Sequence, residues 1–281
     1  MLIALLLGAC SHEGDLAQTA AARPQRIVAL TVGAADTLAL LGELERVVAV
    51  EEDCFVPGTE KLVRIRNDDH AGPSKALNVE AVFALHPDLV IAKEDLQAAL
   101  GGRGMDVLWV PQASDLAAIC GIVEEIGARL GVKEKSDALL AELRERAARI
   151  RARVAGQASV RVYYEAGRPG RTAGKHTVID EMIRLAGGVN IAGDQELANP
   201  TLSSEAIVAA DPEVIVLSPW SDTPEQLAQR PGWSGMRAVR EGRVYQIPER
   251  DRQVQYPSPS CVEGCERLLV PWLHPSAMGG K

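Results

Sequence analysis

The side chains able to bind or transform a ligand fall into two groups along the 281-residue chain. The N-terminal half carries Glu51, Glu52, Asp53, Cys54 and Phe55, then Asn67, Asp68, Asp69 and His70. The C-terminal half carries Tyr164, Arg168, Arg171, Lys175, His176, Trp220, Arg250 and Arg252. Carboxylates beside an imidazole suit a cation, whereas arginine and lysine suit an anion. Trp220 follows Ser218-Pro219 at the end of an apolar run, where an amphipathic ring makes a ligand platform. Only ten residues are aromatic. Phe55, in a loop ahead of Pro57-Gly58, and Trp220 are therefore the rings expected in a site, while Trp233 and Trp272 are expected to pack. No Gly-x-Ser-x-Gly elbow, phosphate-binding loop, dinucleotide fingerprint or His-Glu-x-x-His pair is present, so an enzyme on this scaffold is the less favoured class.

These residues need a scaffold, and the apolar pattern describes one. Short aliphatic and β-branched runs recur at 26–30, 46–50, 88–92, 107–111, 160–164, 214–217 and 244–247. They lack polar/apolar alternation, which fits parallel strands covered on both faces. Helical periodicity fills the gaps at 34–41, 79–85 and 177–186, and glycine follows the first and third of these. Alternating strands and helices imply an α/β fold. The alternation breaks at 114–130 and 133–154, two successive helices, the second amphipathic and dense in Glu and Arg. On either side of it lies a repeat. Residues 78–92 (NVEAVFALHPDLVIA) match residues 203–217 (SSEAIVAADPEVIVL) at a constant offset, with Glu80 on Glu205 and Pro87 on Pro212. Two lobes of like topology leave a cleft between them. The segments leaving strand ends become its candidate walls: 31–36, 51–58, 93–95, 112–115, 165–176, 218–222 and 249–256.

Charge and cysteines narrow the setting. A formal net charge of -8 and a pI near 5.3 argue against nucleic acid as partner. Residues 2–9 (LIALLLGA) are too short an apolar run to span a bilayer, which takes about 20 residues. With Cys10 they look like a bacterial lipoprotein signal, in which the Cys is lipidated, although no Lys or Arg precedes the run. Cys261 and Cys265 are spaced for one face of a helix, poorly for a disulfide, and Cys120 is expected to be buried as a small hydrophobe. No cysteine pair is predicted, and no zinc spacing is present.

RIVALTVGAADTLALLGELERVVAV, NVEAVFALHPDLVIA, YYEAGRPGRTAGKHTVIDEMIRLAGGVNIA and SSEAIVAADPEVIVL together resemble the periplasmic binding proteins of bacterial ABC importers for cobalamin and iron chelates. The resemblance covers roughly residues 24–275. It implies two Rossmann-like lobes with parallel-rich sheets joined by one long rigid helix, limited hinge motion, and a monomeric carrier without chemistry. It implies a signal and tether at 1–24, lobes at 25–131 and 157–281, and the linking helix at 132–156. It also implies permease and ATPase subunits as partners, and a periplasmic or cell-surface place with a lipid anchor at Cys10. Glu80 and Glu205 take the role of acids that pair with Arg on the permease. Asn78 and Ser203 are good N-caps, and the helix dipole alone favours a Glu in the first turn of each helix.

For the ligand-binding side chains the expectation is Phe55, Asp69, His70, Tyr164, Arg171, Lys175, His176, Trp220 and Arg252, with no resident cofactor or metal. A corrinoid calls for aromatic walls and neutral donors, a ferric siderophore for Arg and Lys, and haem for an axial His or Tyr such as His70, His176 or Tyr256. The residues 52–57 and Trp220 resemble the cobalamin branch, so a corrinoid is preferred; a ferric siderophore or haem is the alternative, and a free metal a further one.

Overall fold

The computed structural model describes residues 23–66 and 77–278. The aliphatic runs fold as two parallel sheets. β1 (Ile27–Ala29), β2 (Val47–Glu51), β3 (Val63–Ile65), β4 (Leu89–Lys93) and β5 (Val107–Val110) lie in the order β3-β2-β1-β4-β5. β6 (Val160–Glu165), β7 (Gly188–Asn190), β8 (Val214–Leu217) and β9 (Val244–Gln246) lie in the order β7-β6-β8-β9. Every pair within the sheets is parallel. Ile27, Val28 and Ala29 are fully buried, as are all four residues of β8, so the missing alternation reflects sheets covered on both faces.

The helices are α1 (Val32–Leu40), α2 (Val79–Ala84), α3 (Gln97–Leu100), α4 (Leu116–Arg129), α5 (Lys133–Val154), α6 (Val178–Leu185), α7 (Ser204–Ala210), α8 (Pro224–Ala228), α9 (Arg237–Arg240), α10 (Cys261–Gly264) and α11 (Val270–Leu273), with a π-helical turn between the last two. Thr31, Asn78, Asp115, Thr177 and Ser203 cap α1, α2, α4, α6 and α7, each side chain accepting a backbone N–H three residues on. Such caps satisfy donors that the first turn leaves orphaned, about 1 kcal/mol each. The internal repeat is visible in three dimensions. α2–β4 and α7–β8 occupy matching places, β4 pairing with β1 and β8 with β6. The fold is thus α/β and two-lobed, with α5 between the sheets in sequence. α5 buries Leu139, Leu140, Leu143, Ala147 and Ile150 and turns its Glu and Arg outward.

Two strands escaped the sequence pattern. β3 is a three-residue edge strand with two exposed positions, and β7 begins at Gly188, which reads as the end of the preceding helix. The four described cysteines are free thiols. Cys120 is only half-buried rather than sealed in the core, because it lines a surface recess described below. Cys261 and Cys265 are fully buried, Cys265 Sγ donates to the Met182 carbonyl at 3.3 Å, and burial pushes both thiols up.

Each lobe has a smaller apolar cluster of its own, around Val82 and Leu100 in the first and Ile207 and Trp233 in the second, and the two share a third and larger one. One continuous apolar cluster runs from Ile27 and Ile91 through Val123, Ile126, Leu143 and Ile150 to Val162, Ile183 and Val216, and on to Cys261 and Leu269. Beside it the first helix meets the segment that follows the last strand. Asp36 on α1 accepts from the Ser260 amide at 2.9 Å and the Ser260 hydroxyl at 2.8 Å, although only 6% of the residue is exposed. Gly33 makes the approach possible, since a Cβ there would meet the Pro257 carbonyl oxygen at 2.3 Å.

Burial is the largest influence on Asp36 and raises its pKa, against the lowering effect of the Ser260 donors. Just above the ordinary carboxylate range the folded chain therefore holds this proton more tightly than the unfolded chain. Stability from this group falls as pH rises through that window. We expect Asp36→Asn to remove that component, seen as a difference between the variant and native pH profiles in urea unfolding. Asp36→Ala, which strands the Ser260 donors, should cost about 1–3 kcal/mol in the same assay.

Candidate functional site

A cleft of about 780 Å³ opens where the carboxyl ends of both sheets gather. Thr31 stands two residues beyond β1, Glu51 ends β2, Lys93 ends β4, and residues 110–113 leave β5. Opposite them stand Asn199 on the loop after β7, Trp220 beyond β8, and Arg252 and Tyr256 beyond β9. This end of a parallel sheet is where α/β folds bind ligands, and the volume lies within the range of about 300–1,000 Å³ usual for such sites. Among the described residues its charged lining side chains, Glu51, Asp53, Lys93 and Arg252, balance to zero.

Arg252 joins the two walls. Its guanidinium carbon stands 4.1 Å from the centroid of Phe55, from the N-terminal lobe, and 5.8 Å from that of Trp220, from the C-terminal lobe. Both are cation–π distances. It also donates to Glu249 and, at 3.5 Å, to the Asp53 carbonyl, while its Nε is buried without a partner. Phe55 meets the Tyr256 ring edge-on, centroids 4.9 Å apart. Trp220 is 52% exposed, a large ring left open at the mouth. Burial pushes the Tyr256 hydroxyl up to about 12, so it stays protonated at neutral pH and offers an uncharged hydrogen-bonding group.

A buried charge pair holds the loops of the C-terminal wall. Glu165 at the end of β6 has no exposed surface and receives both terminal nitrogens of Arg230, at 2.7 and 2.8 Å. Tyr163 donates to the same carboxylate at 3.0 Å and the Gly170 amide at 3.3 Å, while Arg230 lies 4.7 Å over Trp233. One residue after Trp220, Ser221 Oγ donates to the Glu165 carbonyl and accepts from the Gly167 amide. The loop carrying Trp220 is thereby tied to the loop leaving β6.

Phe55, Trp220 and Arg252, three of the residues expected from sequence, come together with Tyr256. Others stand elsewhere. Tyr164 is buried, its hydroxyl donating to Gln255 at 2.6 Å. Arg171 sits on the loop after β6, bridged to Thr201, close enough to Tyr164 to oppose the rise that burial gives its hydroxyl. Lys175 pairs with Glu196 at 3.0 Å and, with His176, lines a separate recess flanked by α4, α5 and α6. Glu80 and Glu205 are exposed in the first turns of α2 and α7. Hydrogen bonds from its own backbone amide and from the Ser203 side chain hold the Glu205 carboxyl below the usual range. Asp69, His70 and Cys10 lie outside the described residues. Sequence reasoning missed Asn199 because it follows β7, the unrecognised strand; the Asn199-Pro200 turn signal was its only trace. Among the described residues there is no group of three or more His, Cys, Asp or Glu placed to hold a metal ion, and no helix long and apolar enough to cross a membrane.

A family profile described as "Periplasmic binding protein" matches residues 27–250. A Halobacterium salinarum protein named "Cobalamin-binding protein" is 35% identical over 223 residues, 74% of this chain and 59% of that protein, so the match spans little more than half of the relative. A Bacillus subtilis protein named "Uncharacterized ABC transporter substrate-binding lipoprotein YvrC" is 30% identical over 260 residues, 87% of this chain and 79% of that one. Among solved structures, the "Periplasmic heme-binding protein RhuT" of Roseiflexus sp. RS-1 superposes with a TM-score of 0.78 at 22% identity, covering 90% of this chain and 99% of that one, a likeness of fold.

Arg230→Ala would leave the Glu165 charge buried and unpaired. We expect a loss of about 3–5 kcal/mol in denaturant unfolding, larger than for Glu165→Gln with Arg230→Met together, which removes both charges.

Proposed function

The chain belongs to the periplasmic binding protein family, and on that premise we propose that it is the extracytoplasmic binding component of an ABC importer that captures a corrinoid in the interlobe cleft. Members of this family carry ligands rather than convert them. The observation that carries the corrinoid reading is the Phe55–Arg252–Trp220 stack beside a cleft whose charged lining residues, among those described, balance. A macrocycle with an apolar rim and amide arms needs ring surface and neutral donors, which Trp220, Tyr256, Gln112 and Asn199 provide. The cationic residues that would suit an anionic siderophore are dispersed: Lys175 pairs outside the cleft, Arg168 is exposed, and Arg250 sits beside Asp251 at 3.6 Å with most of its side chain in solvent. The name of the Halobacterium salinarum relative supports the same choice. An iron chelate is the second reading, favoured by the unpartnered Nε of Arg252.

Delivery to a permease is assigned to Glu80 and Glu205. The N-terminus of α2 lies beside the carboxyl end of β3, through the Asn78 amide donating to the Arg66 carbonyl at 3.1 Å. That of α7 lies beside the loop leaving β6, through the Leu202 amide donating to the Gly170 carbonyl at 2.9 Å. These neighbours support an acid in each lobe near segments that leave strand carboxyl ends, suited to a basic, two-fold partner whose charge fixes orientation and speeds encounter. We assign the lobes to residues 25–131 and 157–281 with the linking helix at 132–156, and a lipid anchor to Cys10, in keeping with the lipoprotein name of the Bacillus subtilis relative. The carrier acts as a monomer outside the cytoplasm.

Tryptophan-fluorescence titration with cyanocobalamin, haem and ferric siderophores tests the ligand class. We expect saturable quenching by cyanocobalamin, weakened about tenfold or more in Trp220→Ala, the scale of losing one well-packed ring; saturation by haem or a siderophore alone would overturn the corrinoid reading. Glu80→Ala with Glu205→Ala should leave that titration unchanged and lower ligand-stimulated ATPase activity of the reconstituted importer.

A further inference from the structure

Phe55 stands beside the cleft without lining it, whereas Trp220, Arg252 and Tyr256 do line it. The reason is what lies against its ring. The Arg252 guanidinium stands over the ring at 4.1 Å, and the Tyr256 ring meets it edge-on at 4.9 Å. Phe55 belongs to the loop after β2, in the N-terminal lobe; Arg252 and Tyr256 belong to the segment after β9, in the C-terminal lobe. The ring of one wall is thus covered by side chains of the other. The same guanidinium reaches over Trp220, at 5.8 Å. One flat, delocalised cation therefore occupies ring surface that a flat ligand would use.

The hold on Arg252 is incomplete, as a displaceable cover requires. It lies in a 3₁₀ turn, Glu249–Gln255, where residues three apart share a face, so Glu249 and Gln255 flank it. Glu249 accepts from the guanidinium, and Gln255 accepts from the Tyr164 hydroxyl at 2.6 Å. Toward the N-terminal lobe, the hydrogen bond to the Asp53 carbonyl is long, 3.5 Å. Arg252 Nε and Gln255 Nε2 are both buried without a partner. Such orphans raise the free energy of the conformation that leaves them so. Glu249, in contrast, has 62% of its side chain exposed. A guanidinium that leaves the rings can keep this ion pair at the solvent edge and gain water at Nε.

We propose that Arg252 is an interlobe latch: in the empty carrier it covers Phe55 and bridges the lobes, and a ligand with a flat apolar face displaces it to reach the ring. The assignment rests on the reading of the cleft as the ligand site. Arg252 then opposes binding, because only the unlatched fraction of the carrier is competent. It also selects, since a ligand whose face replaces the cation on Phe55 recovers that contact, and a ligand without such a face meets a closed wall.

Stopped-flow tryptophan fluorescence with cyanocobalamin, and amide hydrogen exchange of the empty carrier, test this. Both are run on the native chain, Arg252→Gln, Arg252→Lys and Arg149→Gln, the last a surface control on α5. Arg252→Gln should bind about fivefold tighter, the scale of one partly exposed cation–π contact, through faster association with dissociation unchanged. Arg252→Lys, which keeps the charge and lacks the planar fork, should fall between. In empty Arg252→Gln the amides of Asp53, Cys54 and Phe55 should exchange faster, with β1 and β6 protected as in the native chain. Arg149→Gln should match the native chain in both experiments. Weaker binding by Arg252→Gln would make Arg252 a ligand contact and overturn the latch, as would unchanged binding or unchanged exchange at residues 53–55. A native chain that binds no cyanocobalamin would overturn the corrinoid reading, and the exchange result alone would then uphold or overturn the latch.

Discussion

Asp36 is a carboxylate with almost no access to water, and it ties the first helix to the segment that follows the last strand. Burying such a group is costly unless strong donors meet it. Ser260 supplies two, one from its backbone and one from its side chain. The contact exists only because Gly33 has no side chain to collide with the Pro257 carbonyl. Residues 257–260 follow the last strand of the second sheet, whereas Asp36 follows the first strand of the first sheet. Their union fixes one lobe against the other, and the apolar cluster shared through α4, α5, α6 and α10 completes the joint. A cleft between two lobes has a defined shape only if the joint behind it does not drift.

That shape decides what the cleft can hold. The ring stack around Arg252 draws one aromatic residue from each lobe, so the relative placement of the lobes sets the spacing of Phe55 and Trp220. On the C-terminal side a second buried carboxylate, Glu165, anchors the loops that carry Trp220 and Arg171. Two buried acids thus divide the work: Asp36 sets lobe against lobe, and Glu165 sets loop against strand. The exposed acids Glu80 and Glu205 stand apart from both networks.

The fold was largely legible in the sequence because parallel strands buried on both faces leave unbroken aliphatic runs, and because the repeat at 78–92 and 203–217 fixes equivalent places in the two sheets. β3 and β7 were not legible: each has three residues, one half exposed and the other starting on a glycine. The site was legible in part. Phe55, Trp220 and Arg252 sit at strand ends, where rings and cations are conspicuous. Lys175 and His176 also follow a strand, yet the long loop after β6 carries them round to the side of the molecule before α6 begins. The interlocks were invisible. Nothing in the spacing of Asp36 and Ser260, or of Glu165 and Arg230, shows that they meet, because such pairs depend on the closed tertiary structure.

If the shared core and the Asp36–Ser260 interlock make one cooperative unit of the two lobes, native-state hydrogen exchange should show it directly. The Ser260 amide, and amides in β1 and β6, should exchange only through global unfolding, with a common free energy that falls together as denaturant rises. Exchange of Ser260 through a separate opening of lower free energy, with β1 and β6 protected to different extents, would contradict the account.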